Sequence, residues 1–174
     1  MVRGSRNAKA IVETNLICQS LKFRNKGNEN GDTLFDNAIR GSRHRMQVID
    51  LWDSVFGDNT AHNEPALSID KKMREADGLF YVAESDVVIG TVMCGYDGHR
   101  GWIYSLAVSN AYRQQGIGSD LMAHAENALI RRGCVKINLQ ILEGKKQVEK
   151  FYKKLGYDTE LRINMGKRIP ENII

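Results

Sequence analysis

The segment Tyr112-Arg113-Gln114-Gln115-Gly116-Ile117-Gly118-Ser119 has the residue types of an anion-binding loop. Its glycines let backbone approach a ligand with no Cβ in the way. It opens a stretch, residues 117–132, in which Ile117, Leu121, Ala125, Ala128 and Leu129 recur on one helical face. The first amides of a helix lack internal acceptors and lie at the positive end of its dipole. Residues 113–119 are thus suited to a phosphate or pyrophosphate, with Arg113 adding a cation. Close packing of helix on sheet is the competing explanation of a Gly-x-Gly helix start. The spacing is neither GxGxxG nor a P-loop, so neither a dinucleotide nor an NTPase site is indicated. A second candidate is Tyr152 in Phe151-Tyr152-Lys153-Lys154-Leu155-Gly156-Tyr157, a phenol able to donate a proton. On spacing alone it reads equally as a core aromatic.

These groups need elements to hold them. The pattern predicts short strands at 33–40, 79–83, 87–95 and 102–108, the last three an antiparallel meander with turns at 84–86 and 96–101. Helices are expected at 45–55, at 68–75 with Ser68 as its cap, and at 145–155, burying Val148, Phe151, Tyr152 and Leu155. Residues 135–141 alternate strictly and read as a half-buried strand, and 162–169 as a final one. Strand 102–108, helix 117–132 and strand 135–141 form a βαβ unit with parallel strands, which places the loop at its strand-to-helix turn.

Bulk properties narrow the function classes. The chain has 174 residues, enough for one domain. It has no apolar run of membrane-spanning length. The pI is about 9.0, but the excess charge is local. Residues 1–45 hold nine Lys/Arg and four Asp/Glu, net +5, while 46–174 hold sixteen and seventeen, net −1. A basic nucleic-acid face on the body is therefore not expected. Residues 1–32 read as an extension with a possible helix at 8–23 and a polar linker, and 33–174 as the domain. Cys18, Cys94 and Cys134 lack metal or redox spacing; reduced thiols and a cytoplasmic location are expected, with Cys94 read as packing rather than as a nucleophile.

Taken together, these segments resemble the GNAT superfamily of N-acetyltransferases. The matching residues are Leu106-Ala107-Val108, Tyr112 to Gly118 for the R/Q-x-x-G-x-G/A signature, and Phe151 to Tyr157 for the Leu-Tyr-x-Lys-x-Gly-Phe element. The resemblance covers roughly 33–169. The stretch Gly95-Tyr96-Asp97-Gly98-His99-Arg100-Gly101 further looks like small bacterial members related to ribosomal-protein N-terminal acetyltransferases.

The resemblance implies an α/β (α+β) fold, a mixed, largely antiparallel twisted sheet with flanking helices and one parallel strand pair that splays into a cleft. It implies acetyl-CoA as co-substrate and no metal. Main chain of Leu106 and Val108 would bind the pantetheine, a backbone N–H near Leu106 or Ala107 would polarise the acetyl carbonyl, and Arg113, Gln114, Gln115, Gly116, Ile117, Gly118 and Ser119 would hold the pyrophosphate. A primary amine, on a small molecule or a protein N-terminus or lysine, would attack the thioester directly. Tyr152 would protonate the departing thiolate, a phenol near 10 facing a thiol near 8.5. The base is open between Glu84, Asp97, His99, Glu143 and water. Lys145 stands where the family usually has Asn; it cannot accept a hydrogen bond, but its ammonium could reach a phosphate. A non-catalytic acyl-CoA-binding or regulatory module is the alternative. A homodimer through the last strand is compatible with this pattern; membrane association is not expected.

Overall fold

The fold was analysed in a computed structural model that describes residues 34–36, 41–57 and 63–169. The expected N-terminal extension lies outside the described residues, as do both ends of the expected first strand. The element order is β1 (Leu34–Asp36), α1 (Gly41–Phe56), α2 (Pro65–Glu75), β2 (Phe80–Glu84), β3 (Val88–Tyr96), β4 (Gly101–Val108), α3 (Ile117–Arg131), β5 (Ile137–Asn138) and α4 (Lys146–Lys154). The strands form one sheet in sequential order, antiparallel from β1 to β4. β5 joins parallel to β4, as the crossover through α3 requires.

Two apolar cores lie on the two faces of this sheet. α3 and α4 cover one, where Leu121, Met122, Ala125, Leu129 and Tyr152 meet Tyr81, Ile89, Val92 and Ile103. α1 and α2 cover the other, where Val48, Leu51, Trp52 and Ile69 meet Phe80, Val82 and Ala107. A two-pronged Arg45–Asp70 pair, both bonds 2.9 Å, ties α1 to α2.

Four expectations need correction. α2 starts at Pro65, not at Ser68, and Glu64 caps it by accepting from the amides of Ala66 (3.0 Å) and Leu67 (2.6 Å). Proline suits the first helical position, where an amide would have had no partner. Strand 135–141 shrinks to two paired residues. Its alternation is nevertheless real, since Ile137, Leu139 and Ile141 pack on the α3 core, but beyond Asn138 it leaves β4 and loses its ladder. Val148 is exposed rather than buried. Residues 162–169 form no strand: Leu161, Ile163 and Met165 stand in solvent, because among the described residues no strand lies beside them to receive the alternating pattern.

Candidate functional site

The parting of β4 and β5 makes the cleft. The two strands pair only at Gly101 with Ile137 and Trp102 with Asn138. From Ile103 to Val108 the β4 edge facing β5 therefore has no strand partner, and its backbone groups can receive an added extended ligand. Leu106, Val108, Leu139, Ile141 and Tyr152 belong to one packed cluster around this opening.

Within that edge β4 is irregular. Thr91 pairs with Ala107 and Met93 with Tyr104, so Val92 alone opposes both Ser105 and Leu106. This is a β-bulge, which leaves the extra residue out of the ladder. Ser105 takes a left-handed φ of 48°, a conformation that a non-glycine residue adopts at a cost of about 1–3 kcal/mol. Strained backbone of this kind is retained where surrounding structure enforces it. Here the Thr91 hydroxyl donates to the Ser105 carbonyl (3.1 Å), and the Trp52 indole N–H donates to that same hydroxyl (2.8 Å).

β4 leads through a single 3-10 turn, Asn110–Tyr112, into the loop before α3. Gln114 and Gly116 have positive φ of 61° and 92°, and Gly116 is the residue at which α3 begins. No side chain caps this helix end, which leaves its first amides directed outward. The two glycines are there for different reasons. Gly116 supplies a left-handed backbone, where a Cβ would meet only Asp120 Oδ2 at 3.9 Å, an ordinary contact. Gly118 is a packing contact: a Cβ would lie 3.4 Å from Phe151 Cζ and 3.7 Å from Val108 Cγ2.

Arg113 folds back, and its Nε donates to the Val108 carbonyl at 3.2 Å. That carbonyl is therefore already engaged, and Ala107 is paired with Thr91 of β3, leaving Leu106 as the less encumbered backbone of the strand. The Gln115 amide donates to the Ala111 carbonyl (3.3 Å) and braces the turn. Ile117 and Ser119 lie in the first turn of α3, together with Asp120, whose carboxyl is shifted upward by partial burial.

Tyr152 is buried to 8% exposure on α4, with Phe151 and Tyr157 edge-on at 5.1 and 5.6 Å. Among the described residues nothing hydrogen-bonds its hydroxyl, whereas the Tyr157 hydroxyl donates to Glu126 (2.8 Å). Burial pushes the Tyr152 phenol up to about 12. The expectation of a phenol near 10 is thereby revised: this side chain stays protonated across the physiological range and is a weaker acid than free tyrosine.

The candidate bases are dispersed. Glu84 accepts from or pairs with His44 (3.0 Å) at the far end of β2. Asp97 closes the β3–β4 turn, accepting from the amides of His99 (2.7 Å) and Arg100 (2.6 Å), bonds that hold its carboxyl below the usual range. His99 and Glu143 are exposed in turns. Asp97 and His99 lie in the turn before Gly101, which is itself four residues along β4 from Ser105, on the order of 13 Å at strand spacing. Lys145 is exposed at the start of α4 with no capping bond from its side chain. Cys94 is fully buried and its thiol is pushed up to about 12 by burial, as suits a packing residue. No group of metal-binding side chains occurs among the described residues. None of their helices is long and apolar enough to cross a membrane.

Sequence reasoning missed Thr91, Trp52 and Ser105. The available signal was one threonine in the otherwise apolar run 87–95.

Comparison with known proteins agrees with this geometry. The profile of the acetyltransferase (GNAT) family matches residues 45–157. An acetyltransferase of Yersinia pestis is 42% identical over 108 residues, spanning 62% of this chain and 77% of that protein. The fold superposes on the NatC complex bound to Gag peptide and CoA with a TM-score of 0.63 at 21% identity, over 71% of this chain and 83% of that one. It superposes on AAC(6')-Iy bound to the bisubstrate analog CoA-S-monomethyl-acetylneamine with a TM-score of 0.62 at 15% identity, over 79% and 100%. The splayed sheet, the uncapped start of α3 and the family match lead to one conclusion: the chain belongs to the GNAT family and is an acetyl-CoA-dependent acetyltransferase.

Proposed function

We propose that the protein transfers the acetyl group of acetyl-CoA directly to a primary amine, on a small molecule or on a protein N-terminus or lysine. The observation that carries this reading is the adjacency of an unpaired β4 edge, a bulge within it, and the uncapped start of α3. An extended pantetheine arm fits the first of these and a pyrophosphate the last. Acetyl-CoA supplies an activated acyl group on a thiolate leaving group.

The chain's own groups then have separate tasks. Backbone of Leu106 and the Val108 amide hold the arm, and an amide at the bulge polarises the acetyl carbonyl as it gains negative charge. Amides of residues 114–118 take the pyrophosphate, the Ser119 amide being bonded to the Gly116 carbonyl (2.9 Å), with Lys145 in reach of a phosphate. The Tyr152 hydroxyl, with no hydrogen-bond partner among the described residues, donates to the sulfur as the C–S bond breaks. A water chain delivers the amine's proton to solvent, since Asp97 is occupied by its turn and Glu84 by His44.

The two solved neighbours hold a peptide and an aminoglycoside analog respectively, and both are amine-bearing acceptor types compatible with an open cleft. Buried, unpaired Cys94 and Cys134 suit a reducing compartment, for which we propose the cytoplasm. The test is thiol release from acetyl-CoA by the purified chain across a panel of aminoglycosides, polyamines, amino acids and peptides with free N-termini. At least one class should raise release at least about tenfold over hydrolysis. Tight acetyl-CoA binding without amine-dependent release from any class would favour the non-catalytic module instead.

A further inference from the structure

Thr91 is 0% exposed and Trp52 2%. They sit in the core between α1 and the sheet, whose other members include Val48, Leu51, Val82 and Val88. Valine would match the Thr91 side chain in shape but would leave the buried Trp52 N–H without its acceptor, so hydrogen bonding rather than packing accounts for a hydroxyl here. The hydroxyl occupies the middle of a hydrogen-bond chain that ends on the strained residue of the bulge. A carbonyl that a regular ladder would hand to a neighbouring amide is held by a side chain, and that side chain is oriented by an indole 39 residues away in sequence. A fully satisfied buried polar chain rigidifies what it touches.

We infer that Thr91, oriented by Trp52, is a positioning residue for acyl transfer: it locks Ser105 in its left-handed conformation and so aims the adjoining β4 amides at the acetyl carbonyl. This rests on the acetyl-transfer reading above. Neither residue touches substrate. Their effect reaches the reacting atoms through the backbone of residues 105–107.

The test compares Thr91→Val, Thr91→Ser and Trp52→Phe in the full chain, by two readouts. The first is the amide resonance of Leu106 on saturation with acetyl-CoA against CoA. The wild type and Thr91→Ser should show a difference between the two ligands that Thr91→Val largely loses. The second is turnover. Thr91→Val should lower kcat by about 10–100-fold, a fraction of what deleting an oxyanion donor costs, with KM for acetyl-CoA within about threefold. Trp52→Phe should fall between, and Thr91→Ser should keep most activity. A Thr91→Val protein matching wild type in the amide response, or losing acetyl-CoA affinity and melting temperature in proportion to kcat, overturns the inference. So does a Thr91→Ser that fails like Thr91→Val. If the wild type itself binds no acetyl-CoA, the acetyl-transfer reading falls and takes this inference with it; a flat comparison among active variants sinks the inference alone.

Discussion

Replacing Tyr152 with Phe should lower kcat by about 10–100-fold while leaving the acetyl-CoA dissociation constant within about twofold. The ring keeps its contacts with Phe151 and Tyr157 and its place in the α3–α4 core, so folding and cofactor grip survive. Only the hydroxyl is lost. The factor sits at the low end of general-acid effects for a physical reason. A phenol at about 12 facing a thiol near 8.5 makes full proton transfer uphill by roughly 5 kcal/mol. Desolvation of the thiolate in the same cleft raises its own affinity for a proton and narrows that gap. In the proposed mechanism Tyr152 would therefore act chiefly as a hydrogen-bond donor to the developing thiolate. The sign for pH follows. Because the phenol is shifted upward, its proton is present below about 12, and kcat should show no alkaline fall between pH 8 and about 10.5. Steady-state kinetics on both proteins checks this; an unchanged kcat in the Phe variant removes Tyr152 from the reaction.

Gly90→Ala should destabilise the fold by about 1–3 kcal/mol and lower the melting temperature by about 3–10 °C. A Cβ at Gly90 would stand 3.0 Å from Leu121 Cδ1, 3.2 Å from Ile117 Cγ2 and 3.2 Å from the Ala107 carbonyl oxygen. Two of these atoms belong to α3, and the third is backbone of β4, which cannot step aside without moving the strand. Relief comes from tilting the start of α3 outward, and that displaces the amides proposed to hold the pyrophosphate. Acetyl-CoA affinity should fall about threefold to tenfold together with stability, at an energetic scale of about 1 kcal/mol. Gly95→Ala is the control, since its nearest neighbour is Tyr104 Cε2 at 3.9 Å. Scanning calorimetry of both variants decides it. A Gly90→Ala protein melting with or above Gly95→Ala would contradict the packing argument.

How much of this was legible in the sequence depends on the range over which each feature is determined. α3 was readable nearly to the residue, because an apolar face from Ile117 to Leu129 and a glycine at each end are local signals. The parallel crossover and the loop position followed from it. The cap of α2 was misplaced because Ser68 is the commoner capping type, while Glu64 works through its reach past Pro65. Residues 135–141 and 162–169 both alternate, yet one makes a two-residue strand and the other none. Alternation states which side of a strand is apolar; it does not supply the neighbouring edge. The Trp52–Thr91–Ser105 chain was out of reach altogether, since it joins residues 39 and 14 apart and a bulge has no residue signature of its own. The Tyr152 shift was likewise hidden, being a property of the elements that bury the ring.

The central claim is that residues 113–119 receive the pyrophosphate of coenzyme A. Calorimetric titration with acetyl-CoA and with acetyl-pantetheine, which shares the thioester arm but has no phosphates, tests it most directly. Acetyl-CoA should bind at least about 100-fold more tightly, close to 2.7 kcal/mol, and Gly116→Val, which puts a branched side chain on a φ of 92°, should erase most of that difference while leaving acetyl-pantetheine binding unchanged. Equal affinity for the two compounds, or no binding of acetyl-CoA at all, would contradict the account.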